Sequence, residues 1–193
     1  MNTRNALQSI RDELASVAGD RALREAEILL CTVHRCGRSQ LYLGDEKVLT
    51  PTARREVDRM VELRRSGVPL PYVLRSCYFH SVELRLSPGV FIPRPETEVL
   101  VEKVLSDEPD SPRLFLDLGT GSGAITAALL GQRPAWRAVA SDICVQALRD
   151  ARHNISIRGC CVCGDRLSMV RERMFDFVVC NPPYVSAGEL LSL

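Results

Sequence analysis

Residues 114–123, Leu-Phe-Leu-Asp-Leu-Gly-Thr-Gly-Ser-Gly, constrain this chain more than any other stretch. The first five, four of them apolar, read as a buried strand. Gly119, Gly121 and Gly123 then form a turn whose backbone can pass close to a ligand. Ile125, Ala128 and Leu129 follow at helical spacing, so the order is strand, glycine loop, helix. That order builds a nucleotide-binding βα unit, with the helix N-terminus offering N–H groups beside the ligand. The spacing is G-x-G-x-G rather than the dinucleotide G-x-G-x-x-G, and flavin, nicotinamide and adenosyl ligands all use relatives of it. Gly119, Thr120, Gly121, Ser122 and Gly123 are the candidate cofactor loop. Asp142, about twenty residues on, stands where a ribose-binding carboxylate is expected.

The rest of the chain divides into two patterns. Over residues 1–75 the periodicity predicts a small helical domain. Leu7, Ile10, Leu14 and Val17 mark one helix, and Leu23, Ala26, Leu30 and Val33 a second. Thr50-Pro51 caps a third helix carrying Ala53, Val57, Met60 and Val61, and 67–71 breaks the pattern. From 76 onward the pattern is α/β. Residues 77–92 predict a β-hairpin linker turning at Ser87-Pro88-Gly89, followed by a helix with Val99, Leu100, Val101, Val104 and Leu105. After the glycine loop come a strand at 137–142, a helix at 144–154, a third strand ending near Gly164-Asp165 and a fourth at 175–180. Strands alternating with helices imply a parallel sheet wound on both sides.

The fourth strand runs into Asn181-Pro182-Pro183-Tyr184. Tandem prolines stiffen a loop at the carboxyl end of a parallel strand, where such sheets place ligands. Asn181 offers a side-chain carbonyl, and Pro182 keeps its backbone carbonyl while its nitrogen donates nothing. Together they form a rigid pair of acceptors for a planar –NH₂ group, on which Tyr184 could stack. With the glycine loop beside it, this pattern points to methyl transfer onto an amide or amino nitrogen. Asn181, Pro182, Pro183 and Tyr184 are the candidate catalytic residues, with Asn181 also counted at the cofactor site.

Charge and composition exclude some alternatives. The net charge is +1, slightly basic over 1–75 and slightly acidic beyond, too weak for a dedicated nucleic-acid groove. No apolar run approaches the roughly twenty residues of a membrane helix, and the N-terminus lacks the apolar centre of a signal peptide. A cytoplasmic location is therefore expected, with the eight cysteines as reduced thiols. Cys160-Cys161-Val162-Cys163 contains one C-x-x-C without a second, so buried, inert thiols are expected there rather than a metal site.

The glycine loop, Asp142 and Asn181-Pro182-Pro183-Tyr184 resemble the class I S-adenosylmethionine methyltransferases that modify planar nitrogens. Phe91-Ile92-Pro93-Arg94-Pro95-Glu96-Thr97-Glu98, the helical N-terminal region and the hairpin narrow the resemblance to the release factor glutamine N5-methyltransferases, the HemK/PrmC family. The resemblance implies an α/β fold: the first four strands of a Rossmann-like sheet over 76–193, with a helical release-factor-binding domain over 1–75. It also implies S-adenosylmethionine as cofactor and, as substrate, the Gly-Gly-Gln glutamine of class-1 peptide-chain release factors. It places Asp142 on the ribose hydroxyls, Asp117 toward the amino group of the methionine moiety, and residues 94–98 over the cofactor. Three further strands would follow in the family, so the fourth is expected here as an exposed edge carrying Phe175, Phe177, Val178 and Val179. Two other readings stay open: a truncated, catalytically silent cofactor- or partner-binding chain, and an adenine-N6 DNA methyltransferase. The near-neutral charge argues against the latter.

Overall fold

The computed structural model describes residues 3–43, 48–165 and 173–182. By internal contacts the chain divides into two units, Met1–Arg75 and Ser76–Leu193.

The first unit is helical: α1 (Thr3–Ala18), α2 (Ala22–His34), α3 (Arg38–Leu43), α4 (Pro51–Arg65) and α5 (Leu70–Leu74). Ala6, Ile10, Leu14 and Ala18 of α1 pack with Ala22, Ala26, Leu29 and Leu30 of α2 and with Val57, Met60 and Val61 of α4. The stripe on α2 differs from the expected one at its first position. Ala18 and Ala22 flank the 3₁₀ turn Gly19–Arg21 and are buried, while Leu23 lies off that face and is 43% exposed. Thr50 caps α4 as expected, its hydroxyl accepting from the Ala53 N–H at 3.2 Å. The short helix α5 was not expected across Pro71. The proline falls in the first turn, where no intrahelical N–H bond is lost.

Two buried acids tie these helices together. Glu25 pairs with Arg64 at 2.7 Å, and Arg64 also donates to the Val17 carbonyl, so one guanidinium joins α1, α2 and α4. Glu27 is 1% exposed and takes Arg24, Arg38 and the Tyr42 hydroxyl. Burial pushes its carboxyl up, but the hydrogen bonds from Tyr42, Arg38 and Arg24 outweigh it and hold the group below its ordinary value.

The second unit opens with an antiparallel hairpin, β1 (Ser76–Phe79) and β2 (Val82–Arg85). Its turn is His80-Ser81, not Ser87-Pro88-Gly89, and 90–92 is not a strand. Both turn residues have positive φ, 45° and 66°, which matches the right-handed twist of the two strands without a glycine. The turn is held by α6 (Glu98–Asp107): Glu98 Oε1 accepts from the His80 N–H at 3.1 Å, and Glu102 bonds the His80 ring at 2.6 Å.

The sheet runs in the order β5-β4-β3-β6, all parallel, from β3 (Leu114–Leu118), β4 (Arg137–Asp142), β5 (Gly159–Cys163) and β6 (Phe177–Cys180). The sheet is therefore the α/β architecture the alternation predicts, and β3 is central. Helix α7 (Ala124–Gln132) is buried at every position from Ala124 to Leu130, not only at Ile125, Ala128 and Leu129. It touches β4, β2, α6 and α8 (Val145–Asn154), which cover it as far as Leu130; Gly131 and Gln132 at its end are exposed.

Strand β6 is the edge among the described residues, but less bare than expected. The Phe177 ring stacks on Phe115 at 5.1 Å and meets Trp136 edge-on at 5.4 Å. Val179 is 3% exposed, while Val178, at 53%, and Cys180 face out. Cys160 and Cys163 are exposed on the opposite edge strand, contrary to the expectation of buried thiols. Three residues apart on one strand, they point to opposite faces. Among the described residues no helix is long and apolar enough to cross a membrane.

Three substitutions test this packing. Arg64→Ala leaves Glu25 buried without its counter-charge and is expected to cost about 3–5 kcal/mol in urea unfolding. At Gly123 (φ +80°) a Cβ would lie 3.0 Å from the Ala151 backbone and 3.1 Å from Ile155. Gly123→Ala is therefore expected to cost about 2–4 kcal/mol by overpacking α7 against α8 as well as by backbone strain. Gly121→Ala meets open space and should cost only the strain, about 1–2 kcal/mol. Equal losses for the two would contradict the packing role of Gly123.

Candidate active site at the carboxyl ends of the central strands

The residues that build the site leave the sheet at one end. Strands β3 and β6 pair in parallel with Leu118 opposite Cys180. The next residue on each, Gly119 and Asn181, therefore departs from neighbouring strand ends, spaced about 4.8 Å in a sheet. On the other side Leu118 pairs with Ser141, so Asp142 leaves from the third adjacent strand. The glycine loop, Asp142 and Asn181-Pro182 thus share one rim. Pro183 and Tyr184 lie outside the described residues.

The loop is tied to its surroundings through its own backbone. The Gly119 and Thr120 N–H groups donate to the Ser141 carbonyl at 2.8 and 2.9 Å. Gly121 N–H donates to Asp142 Oδ2 at 2.8 Å, and the other oxygen of Asp142 accepts from the Cys144 N–H at 2.8 Å. Asp142 thereby locks the loop to the start of α8. Each carboxylate oxygen keeps a second lone pair, so this use is compatible with accepting a ligand's hydroxyls as well. Thr120 and Ser122 are buried, and Thr120 donates its hydroxyl inward to Asp117. Gly119 and Gly121 have φ of +72° and +55°, and a Cβ at either would project into open space. A ligand can approach the loop on that side.

Asp117 is the most unusual group. It is fully buried, and its Oδ2 accepts from the Thr120 and Thr126 hydroxyls, each at 2.7 Å. Its Oδ1 has no hydrogen-bond partner among the described residues. Burial pushes the carboxyl above its ordinary value, against the lowering effect of the bonds from Thr120 and Thr126, and the nearby Asp142 charge adds to the rise. A buried carboxylate oxygen without a donor is suited to a ligand's ammonium group.

Two residues whose contacts pattern reading does not give complete the rim. Asn154, at the end of α8, donates through Nδ2 to the Ser122 carbonyl at 2.8 Å and to the Arg85 carbonyl at 2.9 Å, and accepts from the Arg85 N–H at 2.7 Å. One amide thus clamps the glycine loop to β2. Nothing local announces it, since its partners lie 32 and 69 residues away. Thr97 is the second. Its hydroxyl accepts from Asn181 Nδ2 at 3.1 Å, across 84 residues.

Known proteins are similar to this chain over most of its length. Residues 5–74 match the family model of the PrmC N-terminal domain, and 82–191 that of the methyltransferase small domain. The release factor glutamine methyltransferase of Thermodesulfovibrio yellowstonii is 32% identical over 178 residues, covering 89% of this chain and 63% of that protein. That of Neisseria gonorrhoeae is 38% identical over 170 residues, covering 86% and 62%. That of Coxiella burnetii is 34% identical over 190 residues, covering 96% and 68%. The chain spans a little under two thirds of the length of the first two. On these matches, and with the parallel sheet and its glycine loop in place, the chain belongs to the release factor glutamine methyltransferase family.

Proposed function

We propose that this chain transfers a methyl group from S-adenosylmethionine to the side-chain nitrogen of the Gly-Gly-Gln glutamine in class-1 peptide-chain release factors. The observation that carries the reading is the β3–β6 register, which sets a glycine loop and Asn181-Pro182 side by side. Membership of the family supports the choice of substrate. A release-factor substrate gives the reaction a cytoplasmic setting, and the helical unit over 1–75 is the part assigned to gripping that partner.

The residues present fit the cofactor. Asp117 Oδ1 is a buried acceptor with no donor among the described residues, suited to the methionine ammonium. The outer side of Gly119 and Gly121 is open, and Asp142 stands at the end of β4 where ribose hydroxyls would be accepted. Bound there, S-adenosylmethionine would supply a methyl group already activated on a sulfonium centre.

The protein's own task is then orientation. An amide nitrogen is a poor nucleophile because its lone pair is delocalised into its carbonyl. Asn181 Oδ1 and the Pro182 carbonyl accept its two hydrogens, which fixes the plane of the carboxamide and aims the nitrogen. Pro182 stiffens the acceptors, and the sequence sets Pro183 and Tyr184 directly after it. Rate enhancement comes from proximity and preorganised hydrogen bonds rather than from a general base.

With methyl-labelled S-adenosylmethionine and purified release factor, the chain should label the Gly-Gly-Gln glutamine, and Asn181→Ala should lose that labelling while unfolding like the parent. Cofactor binding without any labelling would favour a silent binding chain instead. Asp117 supplies a pH test. Because its folded-state value is raised, its cost to the ligand-free fold is present at neutral pH and relieved as pH falls. An ammonium at Oδ1 favours the ionised form, so cofactor affinity should weaken on acidification through that raised range. Asp117→Asn should bind cofactor weakly, show no such pH dependence, and unfold at higher urea than the parent without ligand. A pH-dependent affinity persisting in Asp117→Asn would remove Asp117 from the site.

A further inference from the structure

The resemblance sets residues 94–98 over the cofactor, and the fold brings one of them, Thr97, to Asn181. Thr97 closes the 3₁₀ turn Pro95–Thr97, its N–H donating to the Arg94 carbonyl at 3.0 Å. The next residue, Glu98, begins α6 and holds the hairpin turn through the His80 N–H at 3.1 Å, and Glu102 holds the His80 ring one turn later. Thr97 is therefore carried on an anchored helix start rather than on a free loop. Its Oγ1 lies 3.1 Å from Asn181 Nδ2, and both residues are half-buried.

From this geometry we propose that Thr97 is a positioning residue, whose hydroxyl bonds the Asn181 carboxamide and so holds that side chain in place for the substrate's –NH₂ group. The inference rests on the methyl-transfer reading above and deepens it. A carboxamide can be turned end for end with little change of shape, and its two ends have opposite hydrogen-bonding character. With Oδ1 toward an amine it accepts; turned over, it would present N–H groups to N–H groups. A hydroxyl can meet either end, so the bond to Thr97 does not choose between them; it holds the carboxamide in one position and plane before substrate arrives, and the substrate's hydrogens draw Oδ1 toward themselves. Binding energy is then not spent on ordering the side chain.

The test compares Thr97→Val, which keeps the shape and removes the hydroxyl, with Thr97→Ser, which keeps the hydroxyl. On the full chain with S-adenosylmethionine and release factor, Thr97→Val should lower kcat about ten- to hundred-fold. KM for release factor and the cofactor dissociation constant should stay near the parent's, and Thr97→Ser should restore kcat. A parental kcat in Thr97→Val, or an equal fall in Thr97→Ser, overturns the proposal. A second measurement does not depend on transfer. In the chain labelled with ¹⁵N-asparagine, the Asn181 side-chain amide pair is assigned by its loss in Asn181→Asp. One of its protons should move toward the position of a solvent-exposed asparagine in Thr97→Val and stay in place in Thr97→Ser. A pair unmoved in Thr97→Val also overturns the proposal. A parent chain that transfers no methyl group counts against the methyl-transfer reading, while the amide resonances still decide whether Thr97 orients Asn181.

Discussion

The register between β3 and β6 is the constraint on which the site depends. It is set at the end of the strands away from the chemistry. Asp176 Oδ2 accepts from the Leu114 N–H at 2.7 Å, and the Asp176 N–H donates to the Leu114 carbonyl at 2.8 Å. The Phe115 and Phe177 rings stack just above, with Trp136 against both. A slip of one residue would break that stack and turn every side chain of β6 to the other face. Asn181 would go with them. Aromatic packing worth about 0.5–1.5 kcal/mol per pair beyond burial therefore helps fix the position of a polar residue at the opposite rim.

At that rim, rigidity and recognition are divided among different atoms. The inner sides of the glycine loop are bound by Ser141, Asp142 and Asn154. Gly123 packs closely on α8, while Gly119 and Gly121 leave their outer side clear. Asp117 serves both needs at once. One oxygen ties Thr120 of the glycine loop to Thr126 of α7, and the other is buried with no donor among the described residues. An acid kept in that condition burdens the ligand-free fold and favours a cationic ligand, the usual exchange of stability for function at a binding site.

Much of this was legible in the sequence because it is local. The strand–loop–helix order at 114–132, the alternation of strands and helices after it, and the capped helix after Thr50 each follow from neighbouring residues. The hairpin was misplaced because Ser87-Pro88-Gly89 is the stronger turn signal by composition. His80-Ser81 turns instead, with positive φ at two residues that rarely adopt it, held by Glu98 and Glu102 from a later helix. Exposure of Cys160 and Cys163 was likewise invisible, since it depends on β5 lying at an edge of the described sheet. The contacts of Asn154 and Thr97 escaped for a related reason. Their partners are 69 and 84 residues distant, and a single asparagine or threonine carries no periodicity that would single it out.

The central claim is geometric: one rim presents a cofactor loop and a pair of fixed acceptors to the same small volume. A crystal structure of the chain with S-adenosylhomocysteine and a Gly-Gly-Gln peptide tests it most directly. The expected result has the glutamine carboxamide donating its two hydrogens to Asn181 Oδ1 and the Pro182 carbonyl, with its nitrogen turned toward the cofactor sulfur. A glutamine bound away from Asn181, or a cofactor bound away from the 119–123 loop, would contradict the account.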